Sequence, residues 1–593
     1  MAQPIELMQS ATAKALSIPE IISLIMDAIC CEPRWQHCRI LRSCALVQSS
    51  WEIEARRRLW EYCVSNMFGM PPHVPKLDDL LGLKPSRQQD FANNIRCISI
   101  RFGQERDHSR SSEDLILFQL QHLSFPRLEE ISLYCQEGND FGNQQISLKQ
   151  LIGSRLRKVS ITAPLASPHL FISEEWITSL TKHSRHIQEF SFLGDEGGDF
   201  VLSPSFLTSN VSPATLVSFL ESNYSLTSLQ WKMGGSLSKT VFKTLAQMPL
   251  LRILEIPKIP DPWISDVNAF QPEDCFRSLE KLDCEMSAEV LAKVLPSLRA
   301  LKQLYLQVEV SSTSRNSTEQ TVKTLARVIP VTLEELRLSP TLNATVNAAD
   351  VLEIARTASN LRCLDMARHH HKLEMECHIP KMLGLDDDFV RDLALLLPKL
   401  ETICLVSSET KTSESCLIHL GRHCPLLLEC ILTARIGFEE LWMELNSADM
   451  RWPRLTYLSI HNFDIRNLGD ESNGEISMEL NVDLPGYCRA VLDAMPCLEA
   501  VVMPSEALEE FMVDVLTGED NEPDEETSDS DGDCASEDEI QYEDDYDYDD
   551  DDDDSDSFDD WDEADWQLAL YVLNQQSNGS AGVTGLGTLC EGI

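Results

Sequence analysis

The stretch "LEELRL", Leu333 to Leu338, carries apolar residues at its first, fourth and sixth positions. Alternation over the last three positions is the period of a strand with one buried face. On its own such a hexapeptide is an ordinary buried strand, but this chain contains it many times. "LEEISL" (Leu128, Ile131, Leu133), "LRILEI" (Leu251, Leu254, Ile256), "LKQLYL" (Leu301, Leu304, Leu306) and "LTYLSI" (Leu455, Leu458, Ile460) share the pattern. Weaker copies start at Ile95, Leu156, Ile187, Leu226, Leu279, Leu361, Leu400, Leu427 and Leu498. Their spacing runs from 22 to 43 residues and is mostly between 25 and 33, the length of one strand plus one helix.

The segments between the phrases agree with that reading. "FKTLAQMPLL" and "VRDLALLLPKL" have helical periodicity. Pro126, Pro249, Pro398, Pro425, Pro453 and Pro496 each stand two residues ahead of a phrase, where a proline ends a helix and turns the chain. One such unit has too little material to bury its apolar face; stacked units share a continuous core, with a parallel sheet on the inner side and helices outside.

These phrases resemble the leucine-rich repeat family over residues 91–510, although the asparagine that many repeat classes carry after the strand is missing. The resemblance implies an α/β leucine-rich-repeat solenoid. The long gaps 361–400 and 455–498 read as loop insertions. On this register the third, fifth and seventh positions of each strand face a concave surface. Tyr134, Lys158, Gln230, Lys232, Glu255, Lys281, Asp283, Tyr305, Glu335, Arg337, Asp365 and His461 fall there. Of these, Tyr134, Lys232, Lys281, Tyr305, Arg337 and His461 are the candidate substrate-binding residues. The mixture has no dominant charge and no convergent catalytic set, which suits a protein partner and equally an ordinary solvated sheet.

A separate segment precedes the repeats. Residues 17–63 predict three short helices. Ser17 and Pro19 open the first, with Ile21, Ile22, Leu24, Ile25 and Ile29 as its apolar stripe. Pro33 breaks it, a second helix runs from about Ile40 through Val47, and a third from about Ser49 to Tyr62 carries Trp51, Ala55, Leu59 and Trp60. So few residues enclose little core, and a partner would supply the missing burial.

"IPEIISLIMDAI" followed by "LRSCALVQSSWEIEARRRLW" is similar to the F-box, found in many fungal proteins ahead of irregular leucine-rich repeats. Gln48 stands where family members often have Cys, and "CCEPRWQHCR" is longer than the shortest versions. The resemblance implies a small all-α module that binds the Skp-type adaptor of a cullin-RING ubiquitin ligase while the repeats capture a protein substrate. Carried over residue by residue, Ile18, Pro19, Ile21, Ile22, Ile25, Leu46, Val47 and Trp51 would form the adaptor-binding surface, with Leu59 and Trp60 packing partly toward the linker, residues 64–90. The plain alternative is an N-terminal cap on the repeat array.

Charge is concentrated at the other end. Of the formal −47, 28 acidic residues lie between Glu519 and Asp565, which leaves −19 on everything else; no Lys or Arg follows Arg489. Neither part offers a basic surface, so direct nucleic-acid binding is not expected. Residues 518–565 read as a disordered acidic tail. Ser528, Ser530 and Ser536 each have an acidic residue three positions on, the pattern casein kinase 2 favours. The tail either solubilises the chain or binds a basic partner. Residues 566–593 open with the helix-like "WQLALYVL", and residues 1–16 read as a flexible start.

The remaining signals are negative. The 19 cysteines are scattered through apolar runs and there is no signal-type N-terminus, which favours reduced thiols and an intracellular, cytoplasmic or nuclear, protein. No run approaches the roughly 18 apolar residues of a membrane helix. His369, His370, His371, Cys377 and His378 cluster, but consecutive histidines point apart, so no metal site is assigned. No phosphate loop, RING-type cysteine pairing or nucleophile elbow occurs. The expectation is a non-enzymatic, cofactor-free, substrate-recognition subunit of an SCF-type ligase complex, with Skp-type adaptor and cullin as partners. The alternative is an acidic leucine-rich-repeat scaffold for histones or other basic nuclear proteins, a class that lacks an F-box.

Overall fold

Each of the fourteen phrases becomes a strand of one parallel sheet in the computed structural model. The structure describes residues 16–64 (without 17, 31–33 and 48), 75–102, 120–135, 151–164, 173–195, 211–232, 237–264, 275–308, 317–340, 344–367, 380–408, 411–435, 443, 452–461 and 494–502. The chain divides into two units, Met1–Glu522 and Pro523–Ile593, and every described residue belongs to the first. The acidic tail, its serines and the C-terminal helix-like segment lie outside the described residues, as do His369, His370, His371, Cys377 and His378.

The strands are β1 (Tyr62–Val64), β2 (Cys97–Phe102), β3 (Glu130–Cys135), β4 (Lys158–Pro164), β5 (Glu189–Asp195), β6 (Ser228–Trp231), β7 (Ile253–Ile259), β8 (Lys281–Met286), β9 (Gln303–Val308), β10 (Glu335–Ser339), β11 (Thr345–Asn347), β12 (Cys363–Asp365), β13 (Lys381–Leu383), β14 (Thr402–Leu405), β15 (Glu429–Thr433), β16 (Tyr457–His461) and β17 (Ala500–Val502). Among the described residues fifteen of them form one sheet in chain order, while β11 and β13 pair by themselves. The register sets like positions side by side: Leu336 of β10 lies opposite Leu304 and Leu364, and Arg337 opposite Tyr305 and Asp365.

Backbone hydrogen bonds explain why the register is so regular. At every step of the main sheet the N–H groups of the second and third phrase positions both donate to the second-position carbonyl of the preceding strand. Arg96 and Cys97 donate to the Glu61 carbonyl at 2.9 Å, Glu334 and Glu335 to that of Lys302 at 2.7 and 2.9 Å, and Glu499 and Ala500 to that of Thr456 at 2.8 and 3.1 Å. The prolines do what their position predicts. The Leu128, Leu400, Leu427 and Leu498 N–H groups donate to Phe125, Leu397, Cys424 and Met495 carbonyls, which closes a turn with proline at its second residue.

Helices return the chain between strands, and their starts are capped. Ser173, Ser212, Ser238, Ser287 and Asp386 each accept the backbone N–H three residues on, the usual N-cap arrangement. Their apolar stripes, such as Leu180, Leu216 and Leu245, join the fourth- and sixth-position strand residues in one core that runs from Trp60 to Leu498.

Three helices precede the sheet: α1 (Pro19–Ile29), α2 (Arg34–Ala45) and α3 (Ser49–Leu59). Helix α2 starts six residues before Ile40, so part of the expected gap is helix. The sheet also begins earlier than the phrases indicate. Trp60 occupies the first phrase position of β1, buried in the main core and packed on Phe91 with ring centroids 4.9 Å apart. The segment expected as a linker, 64–90, contributes Leu77–Gly82 and most of Pro85–Ala92 as helices, and Leu77 and Leu80 are fully buried in the main core.

Candidate interaction surfaces

The N-terminal helices have a core of their own: Ile22, Met26, Leu41, Cys44 and Ala55, flanked by Ile29, Cys30, Ala45, Trp51 and Leu59. Five buried side chains are few for three helices. Many of the other apolar side chains stay in solvent: Leu46 is 85% exposed, Ile53 72%, Leu24 68% and Val47 64%, with Ile18 and Ile40 near two-fifths. Leu46 and Val47 sit where α2 ends, held by N–H bonds to the Ser43 and Cys44 carbonyls.

Of the residues assigned to adaptor binding, Ile18, Pro19, Leu46 and Val47 are exposed, while Ile21, Ile25, Trp51 and Leu59 are partly buried. The Trp51 indole N–H donates to the Leu16 carbonyl at 2.7 Å, which ties the chain ahead of α1 to α3. One residue is placed differently: Ile22 is 1% exposed and packs inside the three-helix core, whereas Trp60 packs in the main core with Leu77 and Leu80 of segment 64–90. A stripe of five apolar residues on a helix always has a centre, and that centre faces inward. Leu24, Ile40 and Ile53 join the exposed set; Ile40 and Ile53 lie outside the predicted stripes.

An ionic network fastens these helices to the sheet. Glu61, almost fully buried, receives Arg57 at 3.0 Å, Arg58 at 3.4 Å and Arg96 at 3.7 Å, while its carbonyl starts the backbone ladder. Arg58 also pairs with Asp27 on α1, and Arg96 with Glu129, just ahead of β3, at 2.7 Å. Hydrogen bonding from Arg57 holds the Glu54 carboxyl below the usual range.

The second surface is the face of the sheet made by phrase positions three, five and seven. Lysines here are paired: Lys158 lies 3.3 Å from Glu130 and 3.6 Å from Glu189, Lys232 2.8 Å from Asp283, Lys281 2.6 Å from Glu255 and Lys258 3.1 Å from Glu285. A cavity of about 630 Å³ over β4 to β7 is floored by Ser160, Ser191 and Gln230 and edged by Lys158 and Glu189. At the centre, Tyr305 of β9 lies between two cations, Lys281 Nζ at 4.7 Å and the Arg337 guanidinium carbon at 5.0 Å from the ring centroid. Its hydroxyl donates to Glu335 Oε2 at 2.8 Å.

The structure therefore brings Lys281, Tyr305 and Arg337 together, and joins Lys232 to them through Asp283, which faces Tyr305 across the ladder. Tyr134 on β3 and His461 on β16 lie many strands away on either side. Burial pushes the nearby Cys363 thiol up to about 12 and Cys404 well above its ordinary value, so neither supplies a thiolate nucleophile at neutral pH. Among the described residues no group of His, Cys, Asp or Glu could hold a metal ion, and no helix is long and apolar enough to cross a membrane.

No protein-family model matches the chain, and no curated protein does. Among solved structures it is similar to the crystal structure of the Rad7 and Elc1 complex in yeast, at 13% identity and a TM-score of 0.36, over 60% of this chain and 80% of that one. At that level the likeness says nothing about what this chain binds.

Proposed function

We propose that the chain is a non-catalytic recognition subunit of a cullin-RING ubiquitin ligase, in which the N-terminal helices dock on a Skp-type adaptor and leucine-rich repeats hold the target. The observation that carries this reading is the exposed apolar set Ile18, Leu24, Ile40, Leu46, Val47 and Ile53 on a three-helix module whose core, among the described residues, clusters five buried side chains. Exposed apolar residues gathered on one small module mark a protein interface. The F-box-like order of residues selects the adaptor as its partner. The Glu61 network adds a reason for coupling, because it fixes the docking module to the first rungs of the sheet. The test is co-purification of adaptor and cullin with the full chain. Recovery of both supports the reading, and a wild-type chain that recovers no adaptor ends it.

A further inference from the structure

We infer that Arg337, laid against the Tyr305 ring at the centre of the open sheet face, anchors one oxyanionic side chain, carboxylate or phosphate, of a protein bound there.

The case rests on what Arg337 lacks. Each lysine described above on this face has its carboxylate within ion-pair distance, whereas no described carboxylate pairs with Arg337. Its Nε–H is buried and finds no acceptor. A buried, unpaired donor of this kind is uncommon in a finished structure. Two carboxylates are nearby, yet both are turned to other donors. Glu335 accepts from the Tyr305 hydroxyl at 2.8 Å and from Gln303 Nε2 at 2.7 Å, and Asp365 accepts the Ala367 N–H at 2.9 Å. The ring contact holds the guanidinium in place, and its side-chain hydrogen bond goes to the neutral Cys363 thiol, so no described carboxylate neutralises its charge. A planar fork in a fixed position fits a two-oxygen acceptor, and charge-assisted bonds of that geometry are the strong ones.

Tyr305 acts as a positioning residue. Its hydroxyl occupies Glu335, which would otherwise be free to swing onto Arg337 from the same strand two residues away. The inference shares with the proposed function only the premise that this face holds a protein, and needs neither adaptor nor cullin.

The experiment uses the purified full chain on arrays of random peptides with a fixed central glutamate, phosphoserine or glutamine. Wild type is expected to favour glutamate or phosphoserine over glutamine about tenfold, and the two anionic arms distinguish carboxylate from phosphate. Arg337→Gln should erase that preference. Tyr305→Phe, which keeps the ring and Arg337 but releases Glu335, should lower it about threefold; this second variant carries the test if Arg337→Gln does not fold. Equal binding of all three arrays by wild type, a preference that survives in folded Arg337→Gln, or one that Tyr305→Phe leaves unchanged overturns the assignment. Adaptor capture is measured on the same samples. Its absence from wild type would end the ligase reading and leave the array result standing.

Discussion

Leu46 and Leu306 both belong to apolar runs, yet Leu46 is 85% exposed and Leu306 is fully buried. The contrast holds for the regions around them. In the sheet, each apolar phrase position meets a helix stripe and is closed off by the next repeat, so burial is shared along the whole array. In the N-terminal helices the inward stripe closes over five side chains, while Leu24, Leu46, Val47 and Ile53 remain mostly in water. Among the described residues one region has finished its packing and the other has not. The proposed adaptor contact would complete that module, which a buried carboxylate pins to the sheet.

The contrast breaks most visibly at the exposed set. Changing Leu46 and Val47 together to Asp should leave the fold intact, because neither side chain is enclosed, and should weaken adaptor capture about 100-fold, as expected for losing two interface anchors. Binding titration beside circular dichroism measures both. Ile22→Asp is the matched opposite: it should melt the three helices, since a carboxylate there would be buried without a partner. If the double variant unfolds the helices, Leu46 and Val47 are internal packing residues and the contrast fails.

A second test probes how finished the sheet region is. Gly421 lies in the helix Ser415–His423, and a Cβ placed there would run into the buried indole ring of Trp452. Gly421→Ala should cost about 1–3 kcal/mol through overpacking, read from denaturant unfolding. Adding Trp452→Leu, which removes the obstructing ring, should make the alanine itself close to neutral. An alanine tolerated beside the intact tryptophan would show slack in a core that the structure draws as full.

How much of this was legible in the sequence differs between the same two regions. The strands were legible because LxxLxL recurs and because proline ends the approach to six of the fourteen phrases, two signals with independent causes. β1 was missed: "WEYCVS" has Trp60 and Cys63 where the phrase has leucines, and helix periodicity in "EARRRLW" runs straight into it. At the helices, the sequence identified an apolar stripe but not its centre, so Ile22 was assigned outward. On the open face, register alone aligned Arg337 with Tyr305. Which cations are paired there depends on side-chain reach: Lys232 crosses to Asp283 two strands away, and no spacing rule predicts that.

The smallest effects separate backbone from side chain in the ladder that joins the two regions. Second-position residues often alternate in sign, as in Arg96 with Glu129 and Arg252 with Glu280, so the charges could be taken as what holds the register. Burial says otherwise. The Arg252 side chain is 58% exposed and its pair with Glu280 at 2.6 Å is screened by water, so Arg252→Gln should cost less than about 0.5 kcal/mol. The backbone pair from Arg252 and Ile253 to the Thr227 carbonyl, at 2.7 and 3.0 Å, is untouched by that change. Glu61 stands at the same position of the first rung but is buried among three arginines, so Glu61→Gln should cost about 1–2 kcal/mol and loosen the helices from the sheet. Unfolding of the two variants at low and at high salt measures the difference. Equal losses would mean that side-chain charge sets the register along the whole sheet; a loss confined to Glu61 assigns the register to the backbone and leaves the charge its work only where the two regions meet.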